Sequence, residues 1–86
     1  QGILVADVLP HTPAFKAGLR PTHRGYLGQI ILGDVIVALN GHPVENYDVL
    51  YNLLNDVAIG EEVTLAVLRD GMRIYHRIKT IDIAAY

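Results

Sequence analysis

At 86 residues the chain holds one domain and one core, and a domain of this size buries roughly 60% of the surface its unfolded chain exposes. Half of the residues are apolar (51%) and 19% are charged, the composition of a folded unit. The net charge of −2, with Lys and Arg scattered singly, argues against a nucleic-acid partner. No apolar run reaches the roughly 18 residues a membrane span requires. Cysteine and serine are both absent, which removes disulfides, thiolate metal sites, cysteine nucleophiles and any Ser-His-Asp mechanism from this stretch of chain. The start at Gln1 carries no charged n-region or signal-like cleavage site, and the chain reads as a mature or excised fragment.

Residues 2 to 9, Gly-Ile-Leu-Val-Ala-Asp-Val-Leu, are apolar except for Asp7 and predict a strand buried on most of both faces, closed by Pro10. Thr12-Pro13 then sets an N-cap before a proline at the first helical position, and Gly18 ends a helix of one to two turns. Residues 20 to 32 carry Pro21, Gly25 and Gly28 without clear period and read as a loop, with a short extended piece at 29 to 32. After a Gly33-Asp34 turn, residues 35 to 39 form a second strand ended by Asn40-Gly41, a strong two-residue hairpin signal. Pro43 confines the return segment at 42 to 44 to an edge.

The best helical signal starts at the cap candidate Asn46 and runs to about Ala58, with Leu50, Leu53, Leu54 and Val57 at i, i+3, i+4 and i+7. Gly60 ends it. Two strands follow, 62 to 69 and 72 to about 83, joined by Asp70-Gly71. Mixed parity of the apolar residues in the last one predicts a bulge near His76 to Lys79. The element order defines an α+β domain with a mainly antiparallel, partly closed sheet, one short helix and one long helix.

Several of these pieces together resemble a PDZ domain over nearly the whole chain. Gly2-Ile3-Leu4-Val5, Leu9-Pro10 and Pro13-Ala14-Phe15-Lys16-Ala17-Gly18-Leu19 match the family's strand and short helix. Leu32-Gly33-Asp34-Val35-Ile36 with Leu39-Asn40-Gly41 matches its Gly-Asp strand and Asn-Gly turn. The final strand after Asp70-Gly71 resembles the permuted arrangement of PDZ domains that follow the protease domain in the HtrA (Deg) serine proteases. The long 20 to 32 connection resembles cyanobacterial and plastid members.

That resemblance implies a PDZ-like sandwich with no cofactor and no catalysis of its own. It implies a site that binds apolar C-termini by strand addition, and a linked protease domain that the site regulates or feeds. Its implied location is periplasmic, extracytoplasmic or thylakoid-associated. In the family the carboxylate-binding loop and the strand that pairs with peptide precede the segment that opens here at Gln1-Gly2. The expectation is therefore a site only half present. Tyr26-Leu27-Gly28-Gln29 looks like that loop only superficially and reads as surface.

Helical geometry assigns Leu50, Leu54 and Val57 to the core and Val49, Asn52, Leu53 and Asp56 to the neighbouring face, which would line the peptide groove. The resemblance puts Val49 where the family selects the ligand's antepenultimate side chain. Val49 and Leu53 also fit a simple extension of the core. The alternative function is a structural module whose edge strand pairs with another subunit in a homo-oligomer. His11, His23, His42 and His76 show no metal-ligand spacing and read as surface residues. Asp34, Asp48, Asp56 and Asp70 read as capping or solvated groups.

Overall fold

A computed structural model describes residues 2–80; the expected run of the last strand to Ile83 and the apolar end Ile83-Ala84-Ala85-Tyr86 lie outside the described residues. The centre of the molecule is a long hairpin. Strands β6 (Glu62–Arg69) and β7 (Met72–Lys79) pair in one unbroken antiparallel register from Glu62↔Lys79 to Arg69↔Met72, turning through Asp70 and Gly71 at φ 53° and 78°. Two successive left-handed residues match the right-handed twist of the flanking strands, which is why Asp-Gly stands there.

Strand β4 (Val35–Leu39) lies antiparallel to the other side of β6. Its far side is shared by β1 (Ile3–Leu4) near its start and β5 (His42–Pro43) near its end. The sheet order is thus β1-β4-β6-β7 with β5 beside β1, an open sheet rather than a closed barrel. The predicted Asn40-Gly41 turn forms with φ 49° and 83°, and Asn40 ties it down: its side-chain oxygen accepts from the Thr64 amide at 2.8 Å. The register between β4 and β6 shifts between Ile36 and Ala38. That extra residue lets Ile36 and Leu39, of opposite parity, both reach the core with Val44, Val63, Val67 and Ile78.

The irregularity predicted in the last strand therefore sits in β4. Parity along β7 is clean: His76 and Ile78 are buried and Ile74 is half-buried, while Arg73, Tyr75, Arg77 and Lys79 face out. Among the described residues the opposite parity came from Tyr75, which faces out; Ile81 and Ile83, which shared it, lie outside them. The outer set also corrects the reading of the cations as scattered, because alternation places three of them on one face of β7.

The first strand is much shorter than residues 2 to 9. Beyond Leu4 the backbone turns to other partners: the Val5 carbonyl accepts from both the amide and the hydroxyl of Thr22, and the Val8 amide donates to Asp7 Oδ1. Leu4 and Leu9 are exposed rather than buried. Within the 20 to 32 segment, β2 (His23–Arg24) pairs with β3 (Ile30–Ile31), a two-stranded ribbon that the sequence indicated only on its second side. Gly33 closes its base, where a Cβ would collide with the Arg20 carbonyl and the Pro21 backbone.

Both helices begin as expected. Helix α1 (Pro13–Lys16) is capped by Thr12, whose hydroxyl accepts from the Phe15 amide, and helix α2 (Tyr47–Asn55) by Asn46, whose side-chain oxygen accepts from the Val49 amide at 3.1 Å. Helix α2 stops three residues before Ala58. Its continuation is drawn into a turn in which the Ala58 amide donates to Glu61 Oε1 and Gly60, at φ 93°, donates to the Thr80 carbonyl.

Candidate functional site

Helix α2 contains no fully buried residue. Leu50, Leu53 and Val57 lean on the core half-buried, so the helix lies beside the sheet along one stripe and leaves its flanks open. On one flank Tyr47, Tyr51 and Leu54 stand at i, i+4 and i+7, all exposed, with the two tyrosine rings stacked at a centroid distance of 6.2 Å. Leu54 was expected in the core, whereas for Leu53 both the core and the groove face fitted. Leu53 packs on the core and Leu54 is 38% exposed.

Below Leu54 an apolar cavity of about 320 Å³ opens between the end of α2, the start of α1 and the end of β7. Leu54, Val57, Ile59 and Ile78 line it, with Pro13 and Ala14 at the α1 wall and Lys79 and Thr80 at its rim. The Thr80 hydroxyl is committed: it donates to the Ala58 carbonyl at 2.9 Å and accepts from the Gly60 amide at 3.0 Å. Lys79 is the cation among the lining residues. Size and lining fit a pocket for one large apolar side chain, with a positive charge beside it.

The four residues read from sequence lie on the other flank of α2 and at its C-cap. Val49 is half-buried, Asn52 is exposed, and Leu53 and Asp56 line a second, more polar cavity of about 200 Å³ with Leu39, Asn40, His42, Val57 and Glu61. The exposed stripe Tyr47, Tyr51, Leu54 was not read from the sequence because Leu54 was counted with Leu50, Leu53 and Val57, whose spacing dominated the pattern. Its own i, i+4, i+7 spacing was the available signal.

A second concentration of chemistry proves structural. Asp34 was read as a solvated turn residue and His76 as a surface one. In the fold Asp34 is fully buried and His76 is 7% exposed, both packed around Arg69. The Arg69 guanidinium donates from Nε to Asp34 Oδ1 and from Nη2 to Oδ2, each at 2.8 Å, and Nη2 also reaches the Gly18 carbonyl at 3.0 Å. The Arg20 amide donates to Oδ2.

His76 Nδ1 lies 3.0 Å from the Ala17 carbonyl, which can only accept, so Nδ1 carries the proton. Its Nε2 lies 3.3 Å from Arg69 Nη2. Burial acts to raise the Asp34 carboxyl, but the Arg69 hydrogen bond, the Arg20 amide and the charges of Arg69 and His76 outweigh it and hold it below its ordinary value of 3.8. The hydrogen bond that Arg69 donates to Asp34 in turn raises Arg69, against the opposing effect of burial. Among the described residues no buried side-chain polar atom lacks a partner. Through these contacts the cluster ties the end of α1 to the start of β4, the end of β6 and the middle of β7, a structural role.

Comparison with known proteins agrees with this architecture. A family model for the PDZ domain matches residues 1–80, and the chain belongs to that family. Its curated relatives are proteases of the Do-like (HtrA/Deg) kind. The chain is 47% identical over 69 residues to protease Do-like 1, chloroplastic, of Arabidopsis thaliana, and 46% identical to Do-like 8 of the same plant. It is 34% identical over 74 residues to the periplasmic serine endoprotease DegP of Escherichia coli. The matches take in 80–86% of this chain but only 13–16% of those relatives' length, so the protease activity of the relatives is not carried by the match. A solution structure of a protein from Geobacillus thermodenitrificans superposes with a TM-score of 0.71 over all of this chain and 85% of the other, at 22% identity, which speaks to fold alone.

Proposed function

We propose that this PDZ domain binds the apolar C-terminal end of a partner along the Leu54 flank of α2, and that it does so as the substrate-holding or regulatory part of a serine protease. The cavity under Leu54 carries the reading. It accepts the last apolar side chain of the peptide, Lys79 at its rim meets the terminal carboxylate, and Tyr47 and Tyr51 extend the apolar track for preceding residues. A charge-assisted contact of this kind contributes about 1.5–3 kcal/mol, enough to separate a free C-terminus from an amidated one. The relatives that share this domain are chloroplastic and periplasmic proteases, which supports an extracytoplasmic or plastid setting and a linked catalytic domain.

The competing placement runs along Val49, Asn52, Leu53 and Asp56, toward the polar cavity. Fluorescence anisotropy with a labelled peptide ending in leucine, free or amidated, distinguishes the two. On the Leu54 side, Leu54→Arg weakens binding at least about tenfold, and Lys79→Met removes the preference for the free carboxylate. Unchanged affinity in both variants, with loss in Asp56→Arg, overturns the placement in favour of the polar face.

A further inference from the structure

The β2–β3 ribbon presents apolar side chains that nothing in the peptide site uses. At its tip Tyr26 is 99% exposed and Leu27 83% exposed, and Ile30 and Leu32 stand out behind them. A flexible loop with such residues would be unremarkable, but this tip is internally bonded. The Gly25 amide donates to the Gln29 carbonyl at 2.8 Å, the Gly28 amide to the Gly25 carbonyl at 3.0 Å, and the Leu27 amide to Gln29 Oε1 at 3.0 Å. Arg24 Nη1 covers the Gly28 carbonyl at 2.9 Å. The Gly25, Leu27 and Gly28 amides and the Gly25, Gly28 and Gln29 carbonyls are thus paired within the tip, which lowers the cost of placing it at an apolar boundary.

Charge is distributed to match. Residues 8 to 33 contain Lys16, Arg20 and Arg24 and no Asp or Glu, while all nine acidic residues of the chain lie outside that stretch. A tyrosine at an apolar tip with cations behind it is the arrangement favoured at the boundary between headgroups and acyl chains. A bilayer needs a convex apolar tip with cations near it: Arg24 lies on the tip itself, bonded to the Gly28 carbonyl, and Arg20 adjoins Gly33 at the base of the ribbon.

We propose that the 23–31 ribbon is a shallow membrane finger that docks the domain on an anionic bilayer surface, Tyr26 and Leu27 entering the interface and Lys16, Arg20 and Arg24 facing the headgroups. Binding of this kind is weak, reversible and reduced by salt.

The test uses the 86-residue chain and vesicles of phosphatidylcholine alone or mixed equally with phosphatidylglycerol. Co-sedimentation with the anionic vesicles is expected, falling at least about tenfold in Tyr26→Ser/Leu27→Ser and on neutral vesicles. Thermal melting of that variant should match the parent, since neither side chain packs on the core. In a parallel experiment, Tyr26→Trp should shift its emission to the blue on anionic vesicles and Tyr51→Trp should not. Absence of sedimentation, or sedimentation indifferent to the double variant, overturns the proposal. So does concentration-dependent self-association that the double variant abolishes in the absence of any vesicle binding, which would make the tip a contact between copies of the chain.

Discussion

The two helices start alike, each on a polar cap, and are then held by opposite means. Helix α1 has four residues and too little apolar surface to fix its own position, so Ala17 and Gly18 at its end are tied to His76 and Arg69, which are anchored on the buried Asp34. Helix α2 has nine residues and rests on the core only through the half-buried Leu50 and Leu53, with Val57 just past its end. Polar ties fix a direction and a distance. A partial apolar contact leaves a face uncovered, and that uncovered face borders the apolar cavity.

Breaking the polar side should have the largest effect. Arg69→Met leaves a buried carboxylate without its partner and should lower stability by about 3–5 kcal/mol, a large share of what a small domain possesses. Urea denaturation measures it. The double variant Asp34→Leu/Arg69→Met should recover part of the loss, because the unpaired charge is gone. The same pair sets an acid limit. Asp34 titrates lower in the folded chain than its ordinary 3.8, so in acid the unfolded chain takes up its proton first. The pair's contribution is complete above that value and is lost as pH falls below it through the folded one. Melting temperature followed into acid should therefore drop more steeply in the parent chain than in Asp34→Asn.

Two neighbouring leucines sharpen the apolar side. Leu53→Ala should cost about 2 kcal/mol and Leu54→Ala less than about 1 kcal/mol, since only the first removes packing from the core. Equal losses would return Leu54 to the core, where helical spacing alone had put it. Asn46→Ala should cost about 1 kcal/mol by releasing the Val49 amide. Hydrogen exchange should locate that loss in the first turn of α2 and leave α1 untouched.

The elements governed by local chemistry were legible in the sequence: both caps, both Asx-Gly turns, the β6–β7 hairpin and the order that defines the PDZ fold. What was not legible depended on distant partners. Strand β1 reads as eight apolar-rich residues, yet Thr22, seventeen positions on, takes the bonds that would have extended it. Asp34 looks like any Gly-Asp turn until Arg69, thirty-five positions away, buries it. The choice between Leu53 and Leu54 turns on one step of helix rotation, which nearby sheet packing decides and periodicity does not. The cavity joins α1, α2 and β7, so its lining could not be assembled from any one segment.

The uncovered flank of α2 as the seat of a peptide is the claim most worth testing, and residue-resolved NMR tests it directly. Titration of the isotopically labelled chain with a leucine-terminated peptide should move the resonances of Leu54, Ile59, Ile78 and Lys79 in a saturable way, with the amidated peptide moving them less. Saturable shifts confined to Asn52 and Asp56, or no shifts with either peptide, would contradict it.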